Sequence, residues 1–220
     1  MTAIINRIKK HNIIFSISHT KATYEETMIA IEAGATVVTH LFNAMRPLHH
    51  RNPGPFGILG QAGTKSRPYF GIIADGIHLH PTIVKIAYSA YLEGVFLVTD
   101  ALSLAGLSRG TYEWTNGSRI VKKGSELTLE ENGRIAGGFA SLLDCVTNFL
   151  NWSGNSVPEA VNAVTSVPAK MLGMDKIKGS LEAGADADLL VLSERRNEDG
   201  LRTLRVDKVW KFGKLVLDPA

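Results

Sequence analysis

One cysteine in 220 residues leaves no partner for a disulfide. A disulfide framework is therefore excluded, and the composition suits a reducing, cytoplasmic compartment. No apolar run approaches the ~18–20 residues that a membrane span requires. Neither sign of charge dominates: 24 Lys and Arg face 21 Asp and Glu, a formal net charge of +3. These charges are spread along the chain without a basic stripe, so a nucleic-acid surface is not expected. The first ten residues place basic side chains after apolar ones, the reverse of a secretory leader. Internal repeats and low-complexity segments are lacking as well. What is present is 45% hydrophobic and 20% charged residues, the content of a folded chain and too apolar for disorder. The length suits one domain or two small ones.

The first hundred residues alternate between two periods. Residues 13–18 form a short apolar run, read as a buried strand. Thr23 with Glu26 three residues on is a capping-box pattern opening a helix to Ala33, with Met28, Ile29 and Ile31–Ala33 on its apolar side and Gly34 as its stop. Residues 35–42, 69–74 and 95–99 read as three further strands. Pro81 opens a second helix, lined by Ile83, Ile86, Ala87 and Ala90 and ended by Gly94. Apolar strands separated by helices predict a parallel sheet covered on both faces, with chemistry gathered at the carboxyl ends of the strands. The four strands run into His19, His40, Asp75 with His78, and Asp100. Beyond them, residues 117–133 read as hairpins marked by Asn116-Gly117 and Asn132-Gly133. Residues 141–152 and 158–172 read as helices, and 189–192, 206–212 and 214–217 as a small antiparallel unit.

Two histidines about one strand–helix unit apart suit a divalent ion, since neutral imidazole is a common ligand. A catalytic zinc usually takes three protein ligands, so two do not close a site. A carboxylate at Asp100 could move a proton there. Spacing alone leaves a second reading open, in which His19 and His40 only hydrogen-bond nearby loops. Arg51, downstream of Asn43, suits capture of a phosphate or carboxylate, or is a solvated loop charge. His11 and His80 carry no expected role, and Cys145 reads as a small buried side chain.

The segments Ser-His-Thr-Lys-Ala-Thr, Thr-His-Leu-Phe-Asn-Ala-Met, His-His-Arg-Asn-Pro-Gly, Ile-Ala-Asp-Gly-Ile-His and Leu-Val-Thr-Asp-Ala resemble, in order and spacing, the N-acetylglucosamine-6-phosphate deacetylases. Gly-Ala-Asp-Ala-Asp-Leu-Leu-Val-Leu resembles the closing segment of the wider amidohydrolase superfamily. The resemblance implies metal-dependent removal of the acetyl group from N-acetylglucosamine 6-phosphate. It implies His19 and His40 as ligands of one divalent ion, Zn²⁺ foremost with Fe²⁺ or Mn²⁺ as alternatives, and Asp100 as the catalytic carboxylate. It further implies substrate contacts from Asn43, Ala44, Arg51 and His78, with Arg51 at the phosphate of a neighbouring subunit in a homodimer.

In fold, the resemblance implies α/β architecture: about the last four strand–helix units of a (β/α) TIM-type barrel, then helices and part of a small β-sandwich. The expected division is residues 1–175 and 176–220. A whole barrel typically needs ~250 residues, and a glutamate ligand is expected from a preceding half. Glu25, Glu26 and Glu32 fall on a helix away from the strand ends and do not replace it. Gly138 stands where the family carries a serine beside the substrate. The chain by itself is expected to associate through open sheet edges and to have little or no deacetylase activity. Two competing expectations are a non-catalytic sugar-phosphate-binding or assembly module, and an amidohydrolase for cyclic amides or other amino sugars.

Overall fold

The computed structural model describes residues 2–61, 67–114, 116–123 and 126–218. Gly124 and Ser125, inside the stretch read as hairpins, lie outside the described residues. The first part of the chain alternates helix and strand: α1 (Thr2–Lys10), β1 (Ser16–Ile17), α2 (Tyr24–Ala33), β2 (Val37–Val38), a 3₁₀ segment (Gly54–Gly60), β3 (Tyr69–Ile73), α3 (Pro81–Ala90) and β4 (Val95–Val98). The four strands form one parallel sheet in the order β1-β2-β3-β4. Phe70, Ile72 and Ile73 are all fully buried, as expected of a strand covered on both faces.

Local chemistry sets the helix ends. Thr23 accepts from the Glu26 N–H at 3.2 Å while the Glu26 carboxylate accepts from the Thr23 N–H at 2.8 Å, a complete capping box. Gly34 closes α2 with φ of 121°, open only to glycine at low cost. The apolar faces differ from expectation. Thr27, Ile31 and Ala33 are the buried residues of α2, and Val84, Ala87 and Tyr88 those of α3, whereas Ile29 and Ile86 are exposed. Helix α3 ends at Ala90, before a short 3₁₀ turn (Leu92–Gly94), so Gly94 ends that turn and not the helix. The first two strands are also shorter than their apolar runs. Ile13 and Ile14 are exposed, and after Val38 the backbone leaves the sheet by turns.

A four-stranded antiparallel sheet follows: β5 (Gly110–Glu113), β6 (Arg119–Lys123), β7 (Glu126–Leu129) and β8 (Ile135–Gly137). Its turns hold Gly117 and Gly133 at φ of 82° and 67°. Lys122 is buried, donating to the Leu104 and Leu107 carbonyls at 3.1 and 2.8 Å, so it pins the loop after β4 onto this sheet. Helix α4 (Leu142–Ser153) packs Cys145, Phe149 and Leu150 into the main core. The single helix expected over 158–172 is two, α5 (Val157–Asn162) and α6 (Ser166–Met171). Pro168 explains the break: its ring lacks an N–H and would clash with the carbonyl four residues earlier. Finally β9 (Leu189–Arg196), β10 (Arg202–Lys211) and β11 (Lys214–Leu217) form an antiparallel sheet in the order β11-β10-β9. The Asn151 amide on α4 clasps the Arg202 main chain on both sides, at 2.8 and 2.9 Å, and ties this sheet to the core. Among the described residues no helix is long and apolar enough to cross a membrane.

Candidate active site

Parallel pairing puts all four carboxyl ends on one edge of the sheet. His19, His40, Asp75 and Asp100 each stand two residues beyond the last residue of their strand. Ile17, Val38, Phe70 and Val95 are in register across the sheet. His19 and His40 therefore share one level, and Asp75 and Asp100 share another, three residues further along.

His19 and His40 meet directly: their Nε2 atoms are 3.0 Å apart and their rings stack with centroids at 4.9 Å. His40 is buried, and its Nδ1 has no hydrogen-bond partner among the described residues. Both histidines have left-handed backbones, φ 43° and 27°, as does Asp100 at 49°. Such conformations cost non-glycine residues roughly 1–3 kcal/mol each and concentrate at functional sites. Gly71 on β3 makes room for the turn at His40. A Cβ there would lie 3.1 Å from the His40 N and 3.2 Å from the Phe96 ring. The Gly71 carbonyl accepts from the Leu41 N–H at 2.8 Å.

The end of β3 carries a second pair. Asp75 Oδ2 lies 2.7 Å from His78 Nδ1, and Asp75 Oδ1 accepts from the Ile77 and His78 N–H groups, both at 2.9 Å. Burial would raise the Asp75 pKa, but the hydrogen bonds from the His78 ring and from the backbone of His78 and Ile77 outweigh it and hold the carboxyl below its usual range. Asn148 on α4 fixes the preceding Ala74 carbonyl at 2.9 Å. Gly138 closes over the pair: a Cβ there would lie 2.9 Å from the Thr99 carbonyl oxygen and 3.1 Å from Asp75 Oδ2. The site thus has no room for a serine side chain at 138 without movement. The sequence marks Asp75 as a strand-end carboxylate without a role of its own. The Asp-Gly step at positions 75 and 76 was the available signal, since aspartate accepts from the N–H two residues on.

The loop after His40 carries Asn43 and Ala44. Asn43 donates its N–H to the His40 carbonyl at 3.1 Å and has a buried Oδ1 without a partner among the described residues. Ala44 is exposed with φ of 52°. Arg51 is exposed, and the preceding His49 and His50 rings lie with centroids 4.4 Å apart at a tilt of 32°. His80 caps α3 through Nδ1, accepting from the Thr82 N–H at 3.2 Å. Burial, with the Asp75 charge nearby, pushes the Cys145 thiol up to about 11, so it is a poor nucleophile. Glu25, Glu26 and Glu32 are exposed on α2. Among the described residues no three His, Cys, Asp or Glu side chains gather closely enough to hold an ion. The histidine pair supplies two imidazole nitrogens of the three protein ligands usual for a catalytic zinc. It fits such an ion as a partial ligand set.

The profile of the amidohydrolase family matches residues 1–216. The chain belongs to the amidohydrolase family. This amidohydrolase is 38% identical over 216 residues to N-acetylglucosamine-6-phosphate deacetylase of Mus musculus, covering 97% of this chain and 50% of that protein. It is 32% identical over 211 residues to N-acetylgalactosamine-6-phosphate deacetylase of Escherichia coli O157:H7, covering 96% of this chain and 52% of that protein. The crystal structure of N-acetylglucosamine-6-phosphate deacetylase from Thermotoga maritima superposes with a TM-score of 0.83 at 30% identity, covering 99% of this chain and 56% of that one. The amidohydrolase chain spans about half the length of the curated relatives it matches.

Proposed function

We propose that this amidohydrolase acts on a 2-acetamido-2-deoxyhexose 6-phosphate, with N-acetylglucosamine 6-phosphate as the first candidate, and removes its acetyl group to give glucosamine 6-phosphate and acetate. The observation that carries the reading is the His19–His40 pair, two Nε2 atoms 3.0 Å apart at adjacent carboxyl ends of a parallel sheet. His19 and His40 would hold one divalent ion, Zn²⁺ foremost, with Fe²⁺ or Mn²⁺ sharing the same ligand preference. Such an ion, when bound, supplies Lewis-acid polarisation of the amide carbonyl and lowers the pKa of a water. Asp100, exposed at the end of β4, would take a proton from the attacking water and return it to the departing amine. His78, fixed by Asp75, faces the acetamido group. Asn43 and Ala44 hold the sugar, and Arg51, with its guanidinium in solvent, takes the phosphate of a substrate bound in a homodimeric partner. The one cysteine, free and buried, suits a reducing, cytoplasmic setting.

A second reading, of a sugar-phosphate-binding module without hydrolysis, is favoured by the lack of a third ligand among the described residues. One experiment separates the two. The purified chain is titrated with Zn²⁺, then supplied with N-acetylglucosamine 6-phosphate and its galacto epimer, and acetate release is followed. We expect about one ion per chain, lost in His19→Ala and His40→Ala, and slow acetate release that falls by roughly 10²-fold or more in Asp100→Asn. Sugar phosphate bound without acetate, with Zn²⁺ present, supports the binding module. Failure to bind either ion or sugar phosphate overturns both.

A further inference from the structure

We propose that Asp75 is a positioning residue that holds the His78 ring proton on Nδ1, so that the uncharged form of the ring offers Nε2 as a hydrogen-bond acceptor to an amide N–H or hydroxyl of the ligand. The ligand half of this statement rests on the proposed function; the tautomer half does not. The Asp75 side chain is wholly shielded from solvent and that of His78 is 8% exposed. Oδ1 is committed to two backbone donors, the N–H groups of Ile77 and His78. Oδ2 faces Nδ1 at 2.7 Å. An ionised carboxylate has no proton to give, so Nδ1 is the donor and the neutral ring is bare at Nε2. Gly138 lies close over Oδ2, where an added Cβ would sit 3.1 Å away.

Replacing this carboxylate by an amide reverses the ring. In Asp75→Asn the atom at the Oδ1 position must remain an oxygen, because two N–H groups point at it. The NH₂ group then occupies the Oδ2 position and donates to Nδ1. Nδ1 must become bare, and the proton moves to Nε2. Shape and packing are unchanged while the face offered to the ligand turns from acceptor to donor. A buried aspartate that sets a histidine tautomer elsewhere in enzymes behaves in this way.

The test is long-range ¹H–¹⁵N correlation on the full chain labelled at histidine, at a pH where the rings are neutral, with the His78 signals assigned by their loss in His78→Gln. We expect a protonated Nδ1 and bare Nε2 in the unmodified protein, and the reverse in Asp75→Asn. A protonated Nε2 in the unmodified protein, or an unchanged tautomer in Asp75→Asn, overturns the proposal. If Asp75→Asn fails to fold, the unmodified protein still decides, since a bare Nδ1 there is incompatible with the carboxylate bond. Titration with N-acetylglucosamine 6-phosphate then reads the ligand half. We expect the His78 Nε2 signal to shift and Kd to weaken at least tenfold in Asp75→Asn. A ligand that shifts other signals but not this one overturns that half. The spectra need neither metal nor turnover, so a correct tautomer without acetate release counts against the proposed function alone.

Discussion

Asp75 keeps its charge in a place where burial opposes it, because three N–H donors converge on two oxygens. The sign of the resulting linkage is definite. A carboxyl whose folded pKa is below its unfolded value of about 3.9 stabilises the fold above that value and loses this contribution as pH falls through the folded pKa. Urea unfolding measured from about pH 6 down to about pH 2 is expected to show part of the acid loss of stability, and Asp75→Asn is expected to flatten that part. An identical slope in both proteins would mean that the His78–Asp75 bond does not form in solution. The histidine pair illustrates what sequence spacing can and cannot convey at this scale. The strand end before His19 was readable from an apolar run that stops at polar residues, whereas the run over residues 35–42 passes through His40. Their left-handed φ values, which turn the two rings toward one another, have no sequence signal, since non-glycine residues rarely adopt them.

Elements place these residues through close backbone contact. At Gly71 the turn carrying His40 passes so near β3 that any side chain would press on the His40 N and the buried Phe96 ring. Gly71→Ala is expected to cost about 1–3 kcal/mol, as overpacking does, and to shift the His40 backbone by a few tenths of an ångström. Urea unfolding reads the stability, and Zn²⁺ titration reads the ligand geometry. An alanine variant equal to the parent in both would show that the turn is not held by this contact. Residues 35–42 read as a full strand because β-branched and apolar residues fill them, yet pairing ends at Val38. The chain then turns through left-handed residues at His40, Phe42 and Ala44, while Leu41 between them is buried in the core with Phe56.

Across the whole molecule, apolar surface is distributed unevenly. Leu189, Leu190 and Val191 on β9 and Leu215, Val216 and Leu217 on β11 are exposed, and consecutive exposure along a strand means that neither face is covered there. Ile13 and Ile14 add an exposed apolar step beside β1, the strand at one edge of the parallel sheet. Contiguous exposed apolar surface and open strand edges favour association. Light scattering with rising concentration is therefore expected to show self-association, reduced by the double variant Leu190→Lys and Val216→Lys. A monodisperse monomer at all concentrations would contradict this.

Periodicity, capping pairs and glycine stops determined the alternation of helix and strand, the parallel sheet and the two glycine-marked turns, because each depends on neighbours a few residues apart. The order of polar residues at strand ends was legible for the same reason. Tertiary structure alone decided which histidine nitrogens meet, and that Gly71 and Gly138 leave the space the two polar pairs need. The histidine pair, the Gly71–His40 contact and the Gly138–Asp75 contact join atoms 21, 31 and 63 positions apart, where local sequence carries no distance information.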